Sequence, residues 1–169
     1  ILTYLGILMN FNKIYFGGLI LITMHLFIFQ IKNLNINSES NCLKIFKKEK
    51  CKFILMHCVS TYPCPPEKLN LRMIQTLRKK FKCEVGYSGH ESDVSPTILA
   101  YFLGANYIER HITLDRTMYG SDQAASIEPL GFKILVGSVR KIQNAIGTGI
   151  KTVLEDELPI AEKLREHLK

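Results

Sequence analysis

The chain has 169 residues, 47% of them hydrophobic and 22% charged, with 11 Gly, 6 Pro, 5 Cys and no Trp. That much apolar material suits one packed domain or part of a larger one, and it excludes disordered, collagen-like and disulfide-dense classes. The net charge of +7 does not point to nucleic acid: residues 1–52 hold seven Lys against two Glu, residues 53–169 hold fifteen Lys or Arg against thirteen Asp or Glu, and no basic stripe interleaves with aromatics.

Residues 1–38 stand apart. Between Lys13 and Lys32 lie eighteen residues without Asp, Glu, Lys or Arg, near the length of a membrane span of about 20 residues. Thr23, His25 and Gln30 are costly in hydrocarbon, Gly17-Gly18 interrupts the run, and no small-residue cleavage site follows. Residues 14–31 are therefore expected to be a displaced or core-covering element rather than a spanning helix, and the polar stretch 33–40 a junction.

From there the pattern changes to short apolar runs alternating with helical ones. Ser40-Asn41 is expected to cap a helix running to about Lys50, with Leu43, Phe46 and Ile45 on its apolar side. Residues 53–60 read as a strand that ends in a Pro-rich loop. Asn70 is then expected to cap a helix burying Leu71, Ile74, Leu77 and Phe81. Residues 85–90 are the next strand, Ser95-Pro96 starts a helix that Gly104 ends, and residues 107–114 are a third strand. A last helix from Leu130 to Ile146 presents Phe132, Leu135, Val136, Val139, Ile142 and Ile146. This βα order predicts an α/β fold with parallel strands and crossover helices, a piece of a barrel rather than a complete open sheet.

In such folds the functional groups sit at the carboxyl ends of strands. Side chains alternate faces along a strand, so Ser60 and Tyr62 pair on one, Ser88 and His90 on another, and Glu109, His111 and Thr113 on a third. His90 and His111 are 21 residues apart, about one βα repeat, which places them at similar heights on adjacent strands about 4.8 Å apart. A single His at a strand end is usually a satisfied structural residue. Two side by side can hold one divalent ion, and with oxygen donors from substrate and water they suit Mn²⁺ or Mg²⁺ better than a closed zinc site. The five cysteines, Cys42, Cys51, Cys58, Cys64 and Cys83, form no CxxC pair and read as reduced thiols of a cytosolic protein.

The blocks LMHCVSTYPCPPEKLNLRMIQTL, GYSGHE and GANYIERHITLDRTMYGSDQAASIEP resemble the sialic acid synthase family, from about Cys42 to Gly147. The resemblance implies a TIM (β/α)8 barrel of which residues 39–147 supply the last three to four βα units, with residues 1–38 an unassigned hydrophobic segment and 148–169 a linker toward an antifreeze-like domain. It implies condensation of phosphoenolpyruvate with N-acetylmannosamine or its 6-phosphate in the cytoplasm, in a protein that is a homodimer at full length, with neither a nucleic-acid nor a membrane partner. It makes His90 and His111 ligands of Mn²⁺ (or Mg²⁺), Ser60 and Ser88 phosphoenolpyruvate contacts, Tyr62 and Asp122 sugar contacts, and Glu109 the group that orients water. Gln123 stands where the family usually carries His, and the Lys residues that clamp phosphoenolpyruvate belong to the first half of the barrel. The expectation is thus a truncated synthase-like protein; a non-catalytic remnant, anchored through residues 14–31, is the alternative. Unpaired strand edges are expected to make the chain alone a poor folder.

Overall fold

The structure, a computed structural model, describes residues 6–10, 13–16, 27–31, 41–50 and 52–166. The junction at 33–40, the Ser40 part of the first cap and residues 17–26 of the hydrophobic run lie outside them. The strands are β1 (Gly6–Asn10), β2 (Lys13–Phe16), β3 (Phe27–Ile31), β4 (Phe53–Cys58), β5 (Glu84–Gly89) and β6 (Tyr107–His111). The helices are α1 (Asn41–Lys48), α2 (Met73–Phe81), α3 (Ser95–Phe102), α4 (Pro129–Ile146) and α5 (Glu157–Arg165).

One sheet joins all six strands in the order β2-β1-β6-β5-β4-β3. The run from β3 to β6 is parallel, with α1, α2 and α3 as crossovers, as a barrel segment requires. β1 is antiparallel to β6, where a (β/α)8 barrel would continue with a parallel strand. Both outer strands of the expected three-strand sheet therefore have a neighbour, which corrects the expectation of open edges on β4 and β6: β3 covers one and β1 the other. The described parts of 14–31 are strand, and among the described residues no helix is long and apolar enough to cross a membrane.

Strand alternation divides the side chains of β4–β6 between two faces. Leu55, Val85, Tyr87 and Ile108 meet Leu43 of α1, Ile74, Leu77 and Phe81 of α2, Ala100 of α3, and Leu135 and Val139 of α4 in the main core. Each large side chain so buried contributes about 1.5–3 kcal/mol. On the opposite face Ile54, Met56 and Tyr107 form a smaller cluster. Gly86 is required there: a Cβ would collide with the Met56 sulfur and come within 2.7 Å of the Tyr107 carbonyl oxygen.

Two expected caps are corrected. Asn70 takes positive φ, 46°, in a turn whose backbone carbonyl accepts the Met73 N–H, and α2 begins after it without a side-chain cap. α3 does begin at Ser95-Pro96, but its leading residue is Val94, whose N–H goes to the Asp93 carboxylate at 2.6 Å. Gly104 ends α3 as expected, with φ of 101°. The apolar stripe of α4 is shorter than its periodicity suggests: Leu135 and Val139 are buried but Ile146 is exposed. The chain separates into two units, Ile1–Val139 and Arg140–Lys169. Within the second, α5 buries no residue, and a surface Lys151–Glu157 pair at 3.9 Å accompanies its first turn.

His57 shows how the sheet holds its loops. On the core face, beside the Tyr87 ring, it donates from Nε2 to the Leu69 carbonyl at 2.7 Å and so ties the Pro-rich loop to β4. Burial lowers its pKa, the bond to Leu69 opposing, and burial likewise lowers His90, from an ordinary 6.5. The unfolded chain therefore takes up protons that the folded chain resists. The contribution of the neutral imidazoles to stability is complete above about pH 6.5 and is lost as the pH falls below it. Thermal melting from pH 8 to pH 5 should show a falling transition temperature over the acidic half. His57→Gln, which can still donate to Leu69 but does not titrate, should flatten that slope; an unchanged slope would contradict the assignment.

Candidate active site

β4, β5 and β6 end side by side, with Cys58 opposite Ser88, Ser88 opposite Glu109 and Gly89 opposite Arg110. This register brings the two histidines together as their spacing suggests. The ring centroids of His90 and His111 are 5.3 Å apart with planes at 47°. Tyr62 closes on both, its ring 4.1 Å from that of His90 and edge-on to His111 at 5.7 Å.

Ser60 and Tyr62 do not extend β4, which stops at Cys58; prolines at 63, 65 and 66 cannot continue a ladder. The loop is instead pinned at two points. The Cys64 N–H donates to the His90 carbonyl at 2.9 Å, and the Leu69 carbonyl accepts from His57. Held so, it lays Tyr62 over the imidazoles and leaves Ser60 exposed, its hydroxyl 3.9 Å from the Cys58 sulfur.

His90 is buried and its Nδ1 lies 2.8 Å from the Val59 carbonyl oxygen. A backbone carbonyl can only accept, so Nδ1 carries the hydrogen and the Nε2 lone pair is the basic one. Burial holds the His90 pKa low; the Val59 bond opposes this, and the neighbouring His111 lowers it further. Ser88 donates to Glu109 Oε1 at 2.7 Å. Asp122, which sequence separation would leave distant, returns to the cluster because the intervening loop is stitched back to β6: Ile127 N–H to the His111 carbonyl at 2.9 Å and Thr113 N–H to the Ile127 carbonyl at 3.0 Å. Its Oδ2 lies 3.9 Å from His111 Nδ1.

All seven residues singled out from the sequence thus fall in one strand-end region, Ser60 at its rim. Among the described residues no three His, Cys, Asp or Glu side chains converge as a ready-made metal site. What is present is an imidazole pair, the open type of donor set that an ion completes with ligand or water oxygens.

Sequence reasoning missed the groups directly behind this pair. Glu91 and Arg110, each with a side chain 1% exposed, form an ion pair at 3.1 Å. Tyr87 donates to Glu91 Oε2 at 2.8 Å, and Thr97 donates to Oε1 at 2.6 Å while accepting from Arg110 Nη1 at 2.7 Å. Part of the signal was available: Arg110 falls on the strand face that otherwise carries Leu55, Val85 and Ile108, whereas Glu91 lies past the end of β5, where alternation no longer assigns a face.

A profile of the NeuB family matches residues 33–151. The chain is 43% identical over 122 residues to the N-acetylneuraminate-9-phosphate synthase of Homo sapiens, covering 72% of this chain and 34% of that protein. It is 39% identical over 126 residues to the N,N'-diacetyllegionaminic acid synthase of Campylobacter jejuni, covering 73% and 38%. The fold is similar to the crystal structure of the N-acetylneuraminic acid (sialic acid) synthetase of Leptospira borgpetersenii in complex with citrate, with a TM-score of 0.67 and 36% identity, covering 83% of this chain and 49% of that one. The chain spans about a third of the length of the curated relatives it matches.

Gly89 tests how tightly the strand end is packed. A Cβ there would lie 2.7 Å from Glu91 Oε2, 2.8 Å from Tyr87 Cε1 and 2.9 Å from Arg110 Cδ, whereas one at Gly137 meets nothing within 4 Å. Gly89→Ala should lower stability by about 1–3 kcal/mol in urea unfolding, and Gly137→Ala should raise it by about 0.5–1 kcal/mol. Equal midpoints for Gly89→Ala and the parent chain would contradict the packing.

Proposed function

Because the chain belongs to the NeuB family, we propose that its strand-end cluster is the cation-binding part of a synthase site that joins phosphoenolpyruvate to an N-acetylmannosamine-type sugar, free or 6-phosphorylated. In that reaction C3 of phosphoenolpyruvate attacks the aldehyde carbon of the open-chain sugar, water adds at C2, and phosphate leaves by C–O cleavage. The observation that carries the reading is the His90–His111 pair at the carboxyl ends of adjacent parallel strands.

The donor set fits a divalent cation, Mn²⁺ or Mg²⁺. His90 donates Nδ1–H to a backbone carbonyl, the arrangement by which metal-binding imidazoles are oriented and made more basic. Asp122 Oδ2 stands 3.9 Å from Nδ1 of His111, beyond hydrogen-bond length but on the same ring nitrogen. The cation, when bound, supplies Lewis acidity toward a carbonyl oxygen. The chain's own residues take the following parts in this reading. Ser60 and Ser88 contact the carboxylate or phosphate of phosphoenolpyruvate, Ser88 by turning its single hydroxyl hydrogen away from Glu109, which holds it in the free chain, and Glu109 orients the water. Tyr62 walls the imidazole pair, and Asp122 accepts from sugar hydroxyls. Alignment of two polar substrates in a water-poor pocket is the main catalytic task. The substrate places the reaction in the cytoplasm, and the assembled enzyme is taken to be a homodimer.

Gln123, half-buried beside Asp122 where the family usually has a titratable His, favours a second reading as a non-catalytic relative. Release of inorganic phosphate from phosphoenolpyruvate that requires Mn²⁺ and either N-acetylmannosamine or its 6-phosphate supports the synthase reading; no sugar-dependent release with either sugar supports the second. Cation binding is tested separately by titrating Mn²⁺ and following the paramagnetic resonance signal of the free ion. Weak binding is expected, and His90→Ala with His111→Ala should reduce it by at least about tenfold. Undiminished binding in the double variant would refute the assignment.

A further inference from the structure

The imidazole pair and the Glu91–Arg110 pair stand back to back on the same two chain segments. His90 precedes Glu91 just past the end of β5 and Arg110 precedes His111 at the end of β6; Glu91 meets Tyr87 and Thr97 on the core side, while His90 meets Tyr62 and His111 on the other. Arg110 does more than neutralise Glu91. Its Nη1 donates to Glu91 Oε1, to the Asp93 carbonyl at 3.0 Å and to Thr97 Oγ1, and its Nη2 donates to the Glu91 main-chain carbonyl. The guanidinium thus grips both the side chain and the backbone of the residue next to His90 from the residue next to His111.

Glu91 in turn is fully engaged, accepting from Tyr87, Thr97 and Arg110. A buried charge that loses its partner costs several kcal/mol, so the cluster has one closed arrangement and resists intermediate ones. Neighbouring Cα atoms are only about 3.8 Å apart, so the placement of Glu91 against Arg110 constrains that of His90 against His111.

We infer that Glu91, Arg110 and Thr97 are positioning residues that set the separation of the His90 and His111 rings, and through it the affinity of the pair for a divalent cation. The inference rests on the cation-binding reading above, and stability alone would not require it: well-packed apolar residues can replace a buried ion pair without loss.

The test compares Thr97→Val, which keeps the shape and removes the hydroxyl, with Thr97→Ser, which restores it, and with the paired change Glu91→Gln, Arg110→Met. Leu135→Ala, at a fully buried apolar position of α4 that takes no part in the hydrogen bonds of the cluster, is the control for destabilisation. Mn²⁺ affinity is measured well below each variant's melting temperature. Thr97→Val and the paired change should lose at least about fivefold in affinity, with Thr97→Ser within about twofold of the parent. Leu135→Ala should bind like the parent despite melting earlier. Imidazole ¹⁵N–¹H spectra without metal give a second readout, in which the His90 and His111 ring signals should move in Thr97→Val and return in Thr97→Ser. Parent-like affinity and ring signals in Thr97→Val, or a loss in Leu135→Ala as large as in Thr97→Val, would overturn the inference. Absence of Mn²⁺ binding in the parent chain would instead overturn the cation reading, and the metal-free spectra would still decide the positioning.

Discussion

The constraint on which the strand ends depend is the closed contact of Glu91 with Arg110 inside an otherwise apolar face. A guanidinium and a carboxylate removed from water need every available partner. Here Tyr87, Thr97 and two backbone carbonyls supply them, leaving only the Arg110 Nε without a hydrogen-bond partner among the described residues. Such a cluster is a poor source of net stability and a strong source of geometry. It joins β5 to β6 just past the last regular pair of the ladder, where a sheet would otherwise splay.

The rest of the site follows from that junction and from the alternation of side chains along a strand. One face of β4–β6 is filled by Leu55, Val85, Tyr87 and Ile108 against the crossover helices, and this burial supplies most of the driving force for folding. The other face can then carry Cys58, Ser88, His90, Glu109 and His111 near the carboxyl ends. The Pro-rich loop is the third part. Tied by the His57 side chain and the His90 carbonyl, it spends its few hydrogen bonds holding Tyr62 over the imidazoles. The long loop after β6 is likewise sewn back through Ile127, which places a carboxylate beside His111.

How much of this was legible depends on the range of the interaction that decides each feature. The three strands and the helices after them are written in local periodicity, and the His90–His111 juxtaposition follows from a one-repeat spacing plus alternation. Ser60 and Tyr62 reach the same strand-end region as the histidines by a different route, since the prolines end β4 and tertiary hydrogen bonds take over. The cap at Asn70 failed because the chain uses its tolerance of positive φ rather than its side-chain oxygen. The exposure of Ile146 could not be read from periodicity, which reports a helical face but not how far its partner surface extends. The Glu91–Arg110 pair went unread because charged residues at strand ends usually face water, although alternation puts Arg110 on the same face as Ile108. The pairing of β1 with β6 is non-local and antiparallel, and no local pattern announces it.

The central claim is that two imidazoles, held at a fixed separation from behind, share one divalent cation. Crystals of the chain grown or soaked with Mn²⁺ and measured at the manganese absorption edge test it most directly. The account predicts a single anomalous peak within about 2.2 Å of one ring nitrogen of His90 and one of His111. A peak bound to only one of the two rings, or manganese ordered elsewhere with none between them, would contradict it.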